Sequence, residues 1–190
     1  MTDVLLNYVE GMHASTTVAA TRLLPFATEA SWATGRWTAL EKYTATVQKG
    51  IAEDFNVSIG RALLALHAKD VDSFTSTIQS LRKQISSSLS TATTPSIGAC
   101  HDILFKFHVL TELEVIAGTT NQGVERLNIL ESLNRRLEVL GAYLNDKQYL
   151  LGIRRAAMQL SRSVSIYIIN YFILTLIALN SPRVTLLLPG

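Results

Sequence analysis

The chain has 190 residues, enough for one domain with a sizeable core, and 48% of them are hydrophobic. Charged residues make up only 17%, against about a quarter in ordinary soluble domains. The deficit is concentrated in residues 163–190, where Arg183 is the only charge. A net charge of +2 without a Lys/Arg cluster excludes a nucleic-acid surface built on charge excess.

The single cysteine, Cys100, excludes an internal disulfide framework and suits a reducing compartment. Residues 1–11 carry Asp3 and Glu10 and lack the basic start of a secretory signal, so none is expected. Four prolines, at positions 25, 95, 182 and 189, leave long stretches free to form helices.

In chain order, Val4, Leu5, Tyr8 and Val9 predict a helix over residues 2–12. A second segment runs from Ala14 towards Leu24, and Pro25 is placed to open the next helix at its first turn. That helix carries Phe26, Ala30 and Trp32, and Gly35 suits a left-handed end to it. Trp37, Leu40, Tyr43 and Val47 then mark a partner helix, closed by Gly50. Both tryptophans of the chain sit in this hairpin, and Trp32, Gly35, Trp37 and Leu40 are its expected structural anchors.

Asp54 or Asn56 is expected to cap a helix reaching His67 and burying Val57, Leu63, Leu64 and Leu66. Asp70 or Asp72 starts the next, with Val71, Phe74, Ile78, Leu81 and Ile85 as one ridge. The run from Ser86 to Thr94 reads as a solvated loop, because its hydroxyls compete for backbone hydrogen bonds. Ser96 caps a long helix to Ala117, with Ile97, Cys100, Leu104, Phe107, Leu110 and Ile116 as its expected inner face. After a turn over 118–123, leucines from Leu127 to Leu140 predict a helix that breaks near Asn134. Asn145-Asp146 punctuates, and Lys147 to Arg162 reads as another amphipathic helix. The fold class is all-α: eight to ten helices in antiparallel pairs, arranged as a tetratricopeptide-like solenoid.

No catalytic set emerges. His101, His108 and Glu112 fall on one helix and suggest a metal site, but a polar stripe beside a core explains them as well. Asp102 next to His101 lacks an accompanying nucleophile. The glycines form no phosphate-cradling loop, and the sequence has no His-Arg-Asp and no Asp-Phe-Gly. No metal, cofactor or catalytic residue is expected. Two arginine doublets, Arg135-Arg136 and Arg154-Arg155, are candidates for an interaction surface or for bridges to neighbouring carboxylates such as Glu131 and Glu138.

A series of motifs in order carries a family resemblance. Trp32-Ala33-Thr34-Gly35-Arg36-Trp37 with Leu40-Glu41 resembles part of the FAT region of ATR-type checkpoint kinases, within the phosphatidylinositol-kinase-related protein kinases, and of the fungal enzymes most. Phe55-Asn56-Val57 with Gly60-Arg61-Ala62-Leu63-Leu64 follows, then Asp70, Phe74 and Leu81-Arg82. Cys100-His101-Asp102, Phe107-His108-Val109-Leu110-Thr111-Glu112, Arg136-Leu137-Glu138 and Leu151-Gly152-Ile153-Arg154-Arg155 complete the series, across residues 27–162.

The resemblance implies an α-solenoid that supports a kinase domain responding to DNA damage in the nucleus, with the rest of the kinase polypeptide and an ATR-partner-type protein as partners. The family's catalytic residues have no counterpart here. On this reading the chain is a non-catalytic scaffold segment, a fragment lacking the kinase domain. The resemblance stops at Arg162, which divides the chain into a helical segment, 1–162, and an apolar tail, 163–190. Residues 164–179 are uncharged and about as long as the shortest membrane-spanning helix, though Asn170 lies near their middle. They read as a non-native tail, a buried element, or a membrane anchor that would make the chain an independent helical adaptor.

Overall fold

Capping residues set where three of these helices begin. The computed structural model describes residues 17–45, 54–91, 96–118 and 123–160, with Val4 ahead of them. Among the described residues there are seven α-helices and no strand: α1 Thr17–Thr34, α2 Trp37–Ala45, α3 Phe55–Ala68, α4 Val71–Thr91, α5 Ile97–Ala117, α6 Gly123–Val139 and α7 Leu144–Leu160. The all-α class is therefore present. The helix expected over 2–12, the closing Gly50 and the apolar tail lie outside the described residues.

Asp54 accepts the Asn56 N–H at 2.8 Å to start α3, and Ser96 accepts the Ala99 N–H at 3.2 Å to start α5. Asp70 does the same ahead of α4, accepting the Ser73 N–H at 3.0 Å. Gly35 ends α1 at φ +72°, and the Arg36 N–H closes back onto the Ser31 carbonyl at 2.9 Å. Lys69 ends α3 in the same left-handed conformation, with the Asp70 N–H on the Ala65 carbonyl at 2.9 Å.

Four boundaries differ from the sequence reading. Pro25 lies inside α1 rather than opening a helix. Its φ is already helical, so the helix forfeits one backbone bond and accepts crowding at that turn. Packing outweighs this: Ala27 and Ala30 bury against Tyr43 of α2. The serines from Ser86 continue α4 to Thr91, because their hydroxyls bond back along the helix, Ser86 to the Arg82 carbonyl at 2.8 Å and Ser88 to the Gln84 carbonyl at 2.9 Å. α6 runs unbroken through Asn134, and α7 starts at Leu144, with Asn145 and Asp146 in its first turn.

α1 and α2 form one hairpin and α3 and α4 another, each joined by a two-residue turn. α3 packs on both helices of the first hairpin, and α5 packs on α4, α6 and α7. α7 also reaches back to α3 and α1. Its start lies by the start of α5, where His101 meets Asp146, and further along Glu112 meets Arg154, so α5 and α7 run parallel.

The second half of α7 is enclosed on most sides. Leu150, Leu151, Ile153, Arg154, Ala156, Ala157 and Met158 are all buried, and between residues 150 and 159 only Arg155 and Gln159 are exposed. A helix buried round most of its circumference belongs to the core. The ridge of α4 buries Phe74, Ile78, Leu81 and Ile85 as expected, whereas Val71 is exposed. α5 buries Val109, Leu110, Leu113 and Ile116, while Ile97, 90% exposed, and Leu104 point outwards. Apolar residues surround this helix, so spacing alone does not reveal its inner face.

Candidate functional site

Three of the four anchors of the opening hairpin sit at its contacts with other helices, and the fourth, Gly35, makes its turn. Leu40 is fully buried, and Trp32 is 3% exposed with its ring edge-on to Tyr149 of α7 at 5.8 Å. Trp37 is half-buried and stacks on His67 of α3 at 5.2 Å. Gly60 of α3 makes the close approach possible: a Cβ there would lie 2.6 Å from the Thr28 methyl and 3.0 Å from a Leu40 methyl. The hairpin is thus locked on α3 by Leu40 and Trp37, and on α7 by Trp32.

The arginine doublets separate on inspection. Arg135 is exposed and pairs with Glu131 one turn away, at 2.5 Å. Arg136 is half-buried beside it, and both line a shallow concavity of about 370 Å³ with Asn128, Ser132 and Val139. Arg155 is exposed and donates to the Ala33 carbonyl of α1. Arg154 is a correction: it does not lie on the surface. It is 1% exposed, and its Nε and Nη2 donate to both oxygens of Glu112, itself 0% exposed. The same Nη2 donates to the Leu133 carbonyl of α6.

One guanidinium therefore clamps α5, α6 and α7 together. Its two-pronged geometry matches a carboxylate. Burying both charges costs desolvation that their attraction roughly offsets, so the pair specifies how the helices meet more than it adds stability.

The suggested metal ligands do not converge. His101 Nε2 lies 2.6 Å from Asp146 Oδ2, and the ring stacks on Tyr143 at 4.1 Å. His108 Nε2 is 3.2 Å from Glu112 Oε1 but lacks the alignment of a hydrogen bond. Glu112 is committed to Arg154. Asp102 is exposed and holds Lys106 at 2.6 Å, so it and His101 serve different partners. Among the described residues no group of His, Cys, Asp or Glu is arranged to hold a metal.

A second polar network joins α1, α3 and α7. The Tyr149 hydroxyl donates to Asn56 Oδ1 at 2.7 Å, and Asn56 Nδ2 donates to Glu29 Oε2 at 3.3 Å. Burial, then the nearby Asp54 carboxylate, pushes Glu29 above its ordinary pKa. Burial, reinforced by Glu29 and Asp54, pushes the Tyr149 phenol up as well. Beside this network a groove of about 490 Å³ opens between α1, α5 and α7.

Neither the clamp nor the Tyr149 network was foreseen. A signal existed for the clamp: at helical spacing Glu112 has Val109 and Ile116 for neighbours, and Arg154 has Leu150, Leu151, Ala157 and Met158. Nothing in the local sequence marks Asn56 as the bridge between Glu29 and Tyr149.

These features define a class. Among the described residues this is an all-helical packing body whose polar groups hold helices together. The chain belongs to the FAT domain family, which matches residues 24–178, and is a FAT-domain segment of the phosphatidylinositol-kinase-related kinases. The match runs past Arg162, where the motif series ends, into the apolar stretch. No solved structure matches the chain. Among the described residues no helix is long and apolar enough to cross a membrane, and residues 164–179 lie outside them.

Proposed function

We propose that this chain is a non-catalytic, solenoid-type scaffold segment of an ATR-type DNA-damage checkpoint Ser/Thr kinase. The observation that carries the reading is the FAT-domain match over residues 24–178. The ordered motifs from Trp32 to Arg155 supply the ATR-type assignment, and with it a nuclear location. The clamp and the anchors supply the mechanics, because a scaffold transmits position only if its helices meet in one fixed way.

In this reading the kinase domain and an ATR-partner-type protein dock on the helical body, and nucleic acid does not. Arg135, Arg136 and Arg155 are the arginines placed to meet them. The family match continuing to residue 178 supports residues 163–178 as domain sequence, which leaves the membrane-anchored adaptor less supported.

The test is co-expression of the chain with the kinase domain of an ATR-type enzyme. The expected result is a stoichiometric complex that survives purification. A helical, monomeric chain that fails to associate with that domain refutes the proposal.

A further inference from the structure

The groove between α1, α5 and α7 holds a carboxylate, Glu29, that the helix packing leaves without a counter-ion. Its walls include Trp32 and Glu29 from α1, Phe105 from α5, and Gln148, Tyr149 and Gly152 from α7. The aromatic side is continuous: Tyr149 is edge-on to Trp32 and to Phe105, each at 5.8 Å. Gly152 lines the groove beside Trp32, and a Cβ there would meet the ring at 3.4 Å, an ordinary van der Waals contact.

Glu29 supplies the charge. It is half-buried, and its hydrogen bond is to a neutral amide, Asn56. Among the described residues no cation pairs with it, and the charge acting on it is the like charge of Asp54. The neighbouring charges are committed elsewhere: Asp146 to His101, and Arg155 to the Ala33 carbonyl. A carboxylate without a counter-ion, set among aromatic rings in an open groove, is complementary to a planar, weakly hydrated cation that can both stack and donate in a fork.

We infer that this groove receives an arginine side chain from a partner protein, stacked on the partly exposed Phe105 and Tyr149 with its guanidinium on Glu29. The exposed amides of Asn145 and Gln148 at the rim are placed to hold the backbone that carries it. The inference stands on the groove alone and does not depend on the kinase assignment.

The experiment titrates acetyl-Gly-Arg-Gly-amide into the full chain and follows the Trp32 indole N–H resonance, assigned with Trp37→Phe. The citrulline and lysine counterparts are the controls. The expected result is a saturable shift with the arginine peptide, and binding about tenfold weaker for citrulline, the loss of one charge-assisted contact. Glu29→Gln should weaken the arginine peptide similarly. So should Asn145→Lys, an exposed rim change that leaves helicity by circular dichroism intact. Equal binding of the citrulline or lysine peptide, or wild-type affinity in both variants, overturns the inference.

Discussion

Replacing Arg154 with alanine should be among the most damaging single changes in this chain, although the residue reads from sequence as half of a surface doublet. The substitution leaves the Glu112 carboxylate, 0% exposed, without its counter-ion, and His108 at 3.2 Å is not aligned to replace it. An uncompensated buried charge costs about 3–5 kcal/mol. Removing both charges together has a different outcome. Arg154→Met with Glu112→Leu replaces the pair by apolar side chains of similar length and should fall within about 1 kcal/mol of the native chain or exceed it. Urea unfolding followed by far-UV circular dichroism reads both variants as shifts in midpoint. A single variant costing less than about 1 kcal/mol, the level of a solvated surface pair, would refute the clamp. So would a double variant no more stable than the single one.

Three further outcomes follow from the packing. Trp32→Ala should cost about 3–5 kcal/mol, as for large buried aromatics, measured by the same unfolding curves; a loss below about 1 kcal/mol contradicts its place against Tyr149. Gly60→Ala should be destabilising by about 1 kcal/mol net. Crowding costs about 1–3 kcal/mol and alanine returns about 1 kcal/mol of helix propensity, because Thr28, tied to the Leu24 carbonyl at 2.8 Å, cannot turn aside freely. A more stable Gly60→Ala variant shows that the helices do not approach this closely. Glu29→Gln should raise Tm at neutral pH and change it little below the ordinary carboxylate value of 4.5. The sign follows from the raised pKa: the folded chain holds this proton more tightly than the unfolded chain. Ionised Glu29 therefore weakens the fold above its raised pKa, and the penalty fades as pH falls. A lower Tm for the glutamine variant at neutral pH contradicts that account.

Features set by neighbouring residues were legible in the sequence. Asp54 and Ser96 mark the starts of α3 and α5 because a side-chain oxygen three residues or fewer from an unpaired N–H suffices. Gly35 marks the end of α1 through its left-handed conformation. The ridge from Phe74 to Ile85 was legible because α4 is polar elsewhere. What tertiary packing decides was not legible. Pro25 is carried through α1 by the burial of Ala27, Thr28 and Ala30 just after it. Ile97 and Leu104 point outwards although they continue the apolar spacing of α5. The candidate site failed in the same way. Adjacent helical residues diverge by about 100°, so a doublet such as Arg154-Arg155 places one guanidinium in the core and one in water. The partner that decides which is inside, Glu112, lies 42 residues away.

Hydrogen exchange of the chain, alone and mixed with the kinase domain of an ATR-type enzyme, tests the scaffold account most directly. In the free chain the slow amides should include α7 from Leu150 to Met158, where seven of nine side chains are buried. On mixing, α7 should stay slow and new protection should appear on exposed faces, including the α6 surface around Arg135 and Arg136. Fast exchange in α7 of the free chain, or no segment gaining protection on mixing, would contradict a rigid helical body built to carry a kinase.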